Sequence, residues 1–168
     1  MNTALPVSSR SISGSQIESC KATVFKVANH WLTLPATAIL KVTSLSALSN
    51  GGTQDNKLMM WERQPLFRLN LHQILSRSSV SHSFEEDSPS NQQKYVLIVW
   101  SQTGDRCAIS VDERPILLEI PLSEVQLLPP HYRQTISSIA KYMVTLTNRD
   151  RDMTILLLDL QQALHRAR

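Results

Sequence analysis

The hydrophobic residues of this chain recur with the two-residue period of β-strands over most of its length. The clearest region is residues 94–130. Tyr95–Trp100 is an unbroken apolar, β-branched and aromatic run, which is typical of a strand buried on both faces. A turn at 103–105 follows, an alternating strand is predicted at 107–111, and a third strand is predicted at 116–120. Three strands joined by such short turns leave little room for a catalytic site.

The same pattern predicts further strands in both halves of the chain, at residues 22–27, 31–34, 39–48, 58–61, 65–69, 139–147 and 153–158. Asn70 is expected to cap a short helix at 71–77, and a second amphipathic helix is predicted at 159–167. A helical turn is expected within 121–128, and Asn29 is expected to be left-handed in the first hairpin. Because strands dominate and do not alternate with long helices, the pattern predicts a barrel-type β fold.

Length and composition favour one domain with flexible segments. A chain of 168 residues that is 42% hydrophobic can bury one sizeable core. Residues 1–20 are rich in serine and small polar side chains, which predicts a flexible arm. Residues 76–93 are serine-rich and acidic without periodicity, which predicts a solvated linker.

The charges and cysteines favour a cytoplasmic protein that does not bind nucleic acid. The net charge is +3 and the isoelectric point is about 9.1, but the basic residues are scattered from Arg10 to Arg168. A surface that tracks phosphates needs those residues clustered on one face. Cys20 and Cys107 lie far apart, so reduced thiols are expected. No signal-peptide core or membrane-spanning apolar run is present in the sequence, so direct membrane insertion is not expected.

The search for catalytic chemistry predicts no catalytic residue, no cofactor and no metal site. The four glycines form neither a dinucleotide-binding nor a phosphate-binding loop, and the five histidines have no ligand spacing. Asp112 is the most plausible acid, but pairing with a turn amide or with Arg114 is the favoured interpretation over general-base catalysis. Trp61 and Trp100 are predicted to be core residues, and Trp31 is predicted to be half exposed.

Four segments in succession resemble CheW-like domains. FKVANHWLTLPATAILKV (25–42) resembles their opening strands and contact strand, and KLMMWERQPLFRLNLHQIL (57–75) stands where that family has an Asn-Leu-Arg-Gly turn. YVLIVW and GDRCAISVDERPILLEIPLSEVQLLPP, within 95–130, resemble the second half, and residues 136–164 resemble the closing hairpin and helix. The resemblance covers roughly residues 21–164. The linker and the divergent middle are similar to cyanobacterial homologues used in phototaxis.

The resemblance implies a mainly β fold of two small five-stranded β-barrels packed together, with short helices and a C-terminal helix. The first barrel would lie at about 21–75 and the second at about 94–158, with the linker at 76–93 between them and the helix at 159–167 at the end. End segments would cross from one barrel to the other. It also implies a non-catalytic adaptor that couples chemoreceptor cytoplasmic signalling domains to a CheA-like histidine kinase, recruited from the cytoplasm to receptor arrays.

The same resemblance implies which residues contact partners. Ile39, Lys41 and Val42 would lie on the contact strand, and Glu62 and Arg63 on the turn. The family's turn glycine is absent here, and Lys41 stands where an acidic residue is familiar. These positions are equally compatible with ordinary barrel surface or core.

Two alternative functions are also compatible with the sequence. One is a divergent adaptor that recruits another motility or regulatory partner, and the other is a small β-barrel that binds nucleic acid. The latter requires a contiguous basic and aromatic face.

Overall fold

The computed structural model describes residues 18–50, 57–78, 94–136, 139–148 and 151–167. Within them the strands are β1 Ser19–Val27, β2 His30–Pro35, β3 Ile39–Ser44, β4 Ser49–Asn50, β5 Leu58–Trp61, β6 Gln64–Leu69, β7 Tyr95–Trp100, β8 Arg106–Val111, β9 Ile116–Pro121, β10 Val125–Leu127, β11 Ala140–Asn148 and β12 Arg151–Leu158. The α-helices are α1 Leu71–Ser78, α2 Pro130–Ile136 and α3 Leu160–Ala167, and short 3-10 turns lie at Ala36–Ala38, Leu45–Ala47 and Leu122–Glu124. None of the described helices combines the length and the apolar character needed to cross a bilayer.

The strands form two six-stranded sheets with the same plan. Sheet I has the order β10-β11-β12-β2-β1-β9, and sheet II has the order β4-β5-β6-β8-β7-β3. In each sheet a hairpin from one half of the chain (β1–β2 or β7–β8) lies beside strands from the other half. The junction is a parallel pair in both cases, β2 with β12 in sheet I and β6 with β8 in sheet II. The two halves have therefore exchanged their first hairpins.

This exchange corrects the predicted domain boundaries. The mainly β architecture with two packed β units, short helices and a C-terminal helix is confirmed. The division into a barrel at 21–75 and a barrel at 94–158 is wrong, because each sheet takes strands from both halves and has six strands, not five. The crossing involves a whole hairpin on each side, and the period-two pattern cannot reveal it because the pattern carries no information about which strand pairs with which.

The boundaries predicted for the arm and the linker also differ from the structure. β1 begins at Ser19 and pairs with β9, so the predicted arm at 1–20 extends too far into the chain. Residues 76–78, placed in the linker, belong to α1. The rest of the predicted arm and linker, residues 1–17 and 79–93, lies outside the described residues.

Three apolar cores follow from strand alternation. Val96 and Ile98 of β7 face a core inside sheet II, whereas Leu97 and Val99 face a central core between the sheets. The prediction that β7 is buried on both faces is therefore confirmed. A third core lies inside sheet I. The central core also receives side chains of all three helices, so it joins both sheets and both halves of the chain.

Local sequence signals predicted some helix and strand ends correctly and others not. The Asn70 side chain accepts a hydrogen bond from the Gln73 N–H at 3.1 Å, which confirms the predicted cap of α1. The strand expected at 39–48 ends at Ser44, and the expected helical turn within 121–128 is a 3-10 turn followed by β10. The pattern did not predict α2, which begins at Pro130, where a missing N–H costs no helical hydrogen bond.

Asp112 connects the β1–β2 hairpin of sheet I to sheet II through hydrogen bonds. The residue follows β8, and its Oδ2 accepts a hydrogen bond from the Ala28 N–H at 2.7 Å. Its Oδ1 lies 2.7 Å from Nε2 of His72 on α1, and its own N–H donates to the Lys26 carbonyl at 3.0 Å. Ala28, not Asn29, has the positive φ of the turn (52°), and the Asp112 contact holds that conformation. The predicted pairing with a turn amide is confirmed.

Replacement of Asp112 by alanine should therefore destabilise the fold. Asp112→Ala leaves the Ala28 N–H and His72 without this carboxylate, whose side chain is only 8% exposed. We expect a loss of about 2 kcal/mol in the free energy of unfolding, measured by urea titration. The neighbouring Glu113→Ala removes only an exposed ion pair with Lys26 and should cost about 0.5 kcal/mol or less. Equal losses in the two variants would contradict this role for Asp112.

The two cysteines differ in reactivity, although both are free thiols as predicted. Burial and the charge of Asp105 raise the pKa of Cys107 to about 12, so the nucleophilic thiolate is scarce at neutral pH. Cys20 is only partly buried. Iodoacetamide at mildly alkaline pH should label Cys20 in the native protein and both cysteines after unfolding, as measured by peptide mass spectrometry. Rapid native labelling of Cys107 would show that the central core opens more readily than the structure implies.

Candidate protein-interaction surface

One end of sheet II gathers side chains from five strands. β3, β6 and β8 begin at this end, and β5 and β7 end there. This follows from the strand pairing: β7 is antiparallel to both β3 and β8, β6 is parallel to β8, and β5 is antiparallel to β6. We call this end the rim and define it by Leu40, Lys41, Trp61, Glu62, Arg63, Gln64, Trp100 and Arg106.

On one side of the rim, Lys41 bridges two strands that are not neighbours in the sheet. Its Nζ lies 3.8 Å from Oε1 of Glu62 and 5.5 Å from the centroid of the Trp61 ring. Lys41 belongs to β3, at one margin of sheet II, whereas Trp61 ends β5 near the other margin. The sheet must curl for these residues to meet, and Trp61 packs against the core inside the curl.

On the other side, Arg106 links the starts of β6 and β8. Its guanidinium lies over the Trp100 ring at 4.9 Å, and its Nη1 donates a hydrogen bond to Oε1 of Gln64 at 2.7 Å. Trp100 and Arg106 are cross-strand partners in the β7–β8 hairpin. A cation over an aromatic face is a favourable electrostatic contact that also holds both side chains in place.

The turn between β5 and β6 is strained. Glu62 has φ 49° and Arg63 has φ 64°, which are the two positive values of a type I′ hairpin turn. That turn favours Asn-Gly, and each L-residue with a side chain costs energy in this region. Arg63 is exposed, and the described residues provide no ion pair or hydrogen bond to its guanidinium. Its side chain is thus exposed on the turn between β5 and β6.

The structure brings three of the five sequence-predicted contact residues together. Lys41, Glu62 and Arg63 lie in the rim, and Val42 is 43% exposed on the outer edge strand β3 beside it. Ile39 is different, because its side chain is partly buried and packs against the central core. On the expected contact strand, Lys41 and Val42 are therefore exposed, whereas Ile39 is partly buried.

Sequence reasoning missed five of the eight rim residues, among them Leu40, Trp100 and Arg106. Leu40 is 40% exposed at a register irregularity between Ile39 and Lys41. Trp100 is 37% exposed, so its assignment to the core is wrong. Its position at the end of an apolar run, just before a polar turn, was the available signal. Arg106 had no signal in the sequence, because its importance depends on the cross-strand register.

A groove adjoins the rim. It has a volume of about 450 Å³ and lies where the ends of β2 and β12 and the start of β11 meet the β7–β8 turn. Its lining is mostly apolar and includes Leu34, Ala38, Tyr142, Leu157 and Leu160. Leu127 pairs with Tyr142 across β10 and β11 and extends the exposed apolar area. The segment from Pro35 to Lys41 runs from the groove to the rim, so the two features are continuous.

The side chains of the rim are of the kinds found in protein-binding surfaces. The described residues contain no cluster of three or more His, Cys, Asp or Glu side chains that could hold a metal ion. The rim instead combines aromatic rings, guanidinium groups and exposed aliphatic side chains, which are enriched in the centres of protein interfaces.

Comparison with known proteins supports the fold. No family model and no curated protein matches the sequence. The crystal structure of the scaffolding protein TtCheW from Thermoanaerobacter tengcongensis is similar, with a TM-score of 0.64 and 13% sequence identity over 88% of this chain and 88% of that chain. The chain therefore has a CheW-like fold, as its sequence resemblance predicted.

Relieving the strain in the β5–β6 turn should stabilise the protein. Arg63→Gly removes the side chain at φ 64° and should raise the free energy of unfolding by about 1 kcal/mol in a urea titration. Arg63→Ala removes the same guanidinium but keeps the strain, so it should have no stabilising effect. If both variants are equally stable, the left-handed conformation at this position is not a source of strain.

Proposed function

We propose that this chain is a non-catalytic adaptor that couples methyl-accepting chemoreceptors to a CheA-like histidine kinase in chemotaxis or phototaxis signalling. The observation that carries the proposal is the CheW-like fold, shared with a scaffolding protein over 88% of both chains. The adaptor acts in the cytoplasm and is recruited to membrane-associated receptor arrays through its partners.

An adaptor needs two surfaces that can be occupied together, and the rim and the groove meet that need. The groove, with a volume of about 450 Å³ and a mostly apolar lining, offers apolar surface to one face of a helix. Recognition of this kind uses apolar side chains at intervals of three and four residues. We assign the groove to the helical signalling tip of the receptor.

The rim and the exposed edge of β3 are assigned to the kinase. Val42 and Leu40 provide aliphatic contact area, and Trp100 provides an aromatic side chain held rigidly by Arg106. The backbone of Arg63 is held in the two-residue β5–β6 hairpin, so binding restricts only its side chain. Ile39 contributes by positioning the strand through its contact with the central core.

The adjacency of the two surfaces gives the adaptor a means of coupling. Ala38 lines the groove and Leu40 belongs to the rim, so a helix bound in the groove presses on the segment that leads into β3. A small shift of that segment changes the position of Lys41 relative to Glu62. The receptor and the kinase are thereby connected through a few residues of one chain segment.

Two variants should separate the two partners. Ala38→Trp fills the groove and should abolish retention of the receptor signalling fragment while the kinase is still retained. Val42→Asp places a charge on the β3 edge and should weaken kinase binding at least tenfold, which corresponds to about 1.4 kcal/mol, with the receptor unaffected. Binding is measured by co-purification and by calorimetry with the cognate kinase and receptor fragments.

The matched control is Ser46→Asp, which adds the same charge at the opposite end of sheet II, beyond the end of β3. It should leave both interactions unchanged. Circular dichroism of each variant distinguishes a lost interface from a lost fold. If the wild-type chain retains neither partner, the proposed function is wrong.

A further inference from the structure

The rim carries an excess of positive charge that is held against aromatic rings. Lys41, Arg63 and Arg106 stand against one carboxylate, Glu62. Asp105, in the β7–β8 turn just before Arg106, is a second exposed carboxylate nearby, and its Oδ2 accepts a hydrogen bond from the Thr103 hydroxyl at 2.9 Å. Counting it leaves three cations against two carboxylates. Arg106, the next residue, faces Trp100. The local charge of the rim is therefore positive.

These cations retain the capacity to bind a partner. A guanidinium that stacks on an indole uses its face, and its N–H groups at the edge stay available for a carboxylate. Arg106 donates one of five N–H groups to Gln64, and Arg63 has no ionic partner among the described residues. Arginine N–H groups bind carboxylates in a bidentate manner, and exclusion of water by the neighbouring Trp61 and Trp100 strengthens that contact.

We propose that the rim recognises an acidic protein segment in which carboxylates flank an aliphatic or aromatic side chain. The carboxylates pair with Arg63 and Arg106, and the apolar side chain lies against Trp100 and Leu40. Complementary charge accelerates association and excludes segments with basic residues at these positions. This proposal deepens the proposed function. It rests on that function for the identity of the partner, which is the kinase, but the acidic character of the bound segment is inferred from the rim alone.

A nucleic acid is the rival occupant, because the rim is both basic and aromatic. Single-stranded binding needs aromatic faces that are free to stack with bases. Here the Lys41 and Arg106 cations lie over the Trp61 and Trp100 rings, so these ring faces are not free to stack with bases. The observations favour an acidic protein segment.

The three tryptophans provide a direct test. In protein labelled with ¹⁵N at the indole nitrogens, Trp61 and Trp100 report on the rim, and Trp31 reports on sheet I. The probe is a blocked peptide with two glutamates on each side of Leu-Phe, compared with its lysine counterpart and with oligo(dT). The glutamate peptide should shift the Trp61 and Trp100 signals at millimolar concentration, and the other probes should not.

Charge-reversal variants assign the binding to these residues. Arg63→Glu and Arg106→Glu should each weaken peptide binding at least tenfold, and added salt should weaken it further in the wild-type chain. Lys26→Glu is the matched control, because Lys26 also lies over a tryptophan (Trp31, at 5.6 Å) and pairs with a glutamate, but on the other sheet. It should bind the peptide as tightly as the wild type, and an unshifted Trp31 signal in the rim variants shows that they are folded.

Each outcome has one meaning. The proposal is overturned if the glutamate peptide gives no shift, if the lysine peptide or oligo(dT) binds as well, or if the shifts are equal at Trp31. If the rim binds the glutamate peptide but the kinase is not retained, the proposed function fails and this proposal stands. If the kinase is retained and the charge reversals have no effect, the function stands and this proposal fails.

Discussion

The whole structure depends on the exchange of hairpins between the two halves of the chain. β1–β2 completes the sheet formed by β9–β12, and β7–β8 completes the sheet formed by β3–β6. Each inserted hairpin contributes one face to its host sheet's inner core and the other face to the central core. Neither half can satisfy its strand edges or bury its apolar faces alone. The result is one cooperative unit and not two barrels on a tether.

This exchange also determines where the binding surfaces lie. The segment from β2 to β3 must pass from sheet I to sheet II, and it reaches sheet II at the end where the rim lies. The groove forms on one side of this crossing and the rim on the other. At the corresponding crossing from β8 to β9, the Asp112 carboxylate binds the Ala28 turn and His72. The β8–β9 crossing is thus held by hydrogen bonds within the protein, and the β2–β3 crossing lies beside the groove.

Local sequence patterns predicted most of the strands and two of the three α-helices but not their assembly. β5 and β7 were predicted with the bounds that the structure has, because their apolar runs are short and end at polar turns. The partners of those strands could not be predicted, since pairing with a distant strand leaves no local pattern. For the same reason Lys41, Glu62 and Arg63 were proposed through a family resemblance, whereas Arg106 could be found only from the cross-strand register.

The parallel pairing of β2 with β12 has a consequence for synthesis of the chain on the ribosome. Trp31 and Leu32 pair with Ile155 and Leu156, which are translated more than a hundred residues later. Until then one edge of the nascent hairpin is unpaired and its apolar side chains lack a host sheet, a state that is prone to aggregation. Folding of such a topology is slow because its decisive contacts are the most distant in sequence. The β1–β2 hairpin must therefore be protected from aggregation until β12 has been translated.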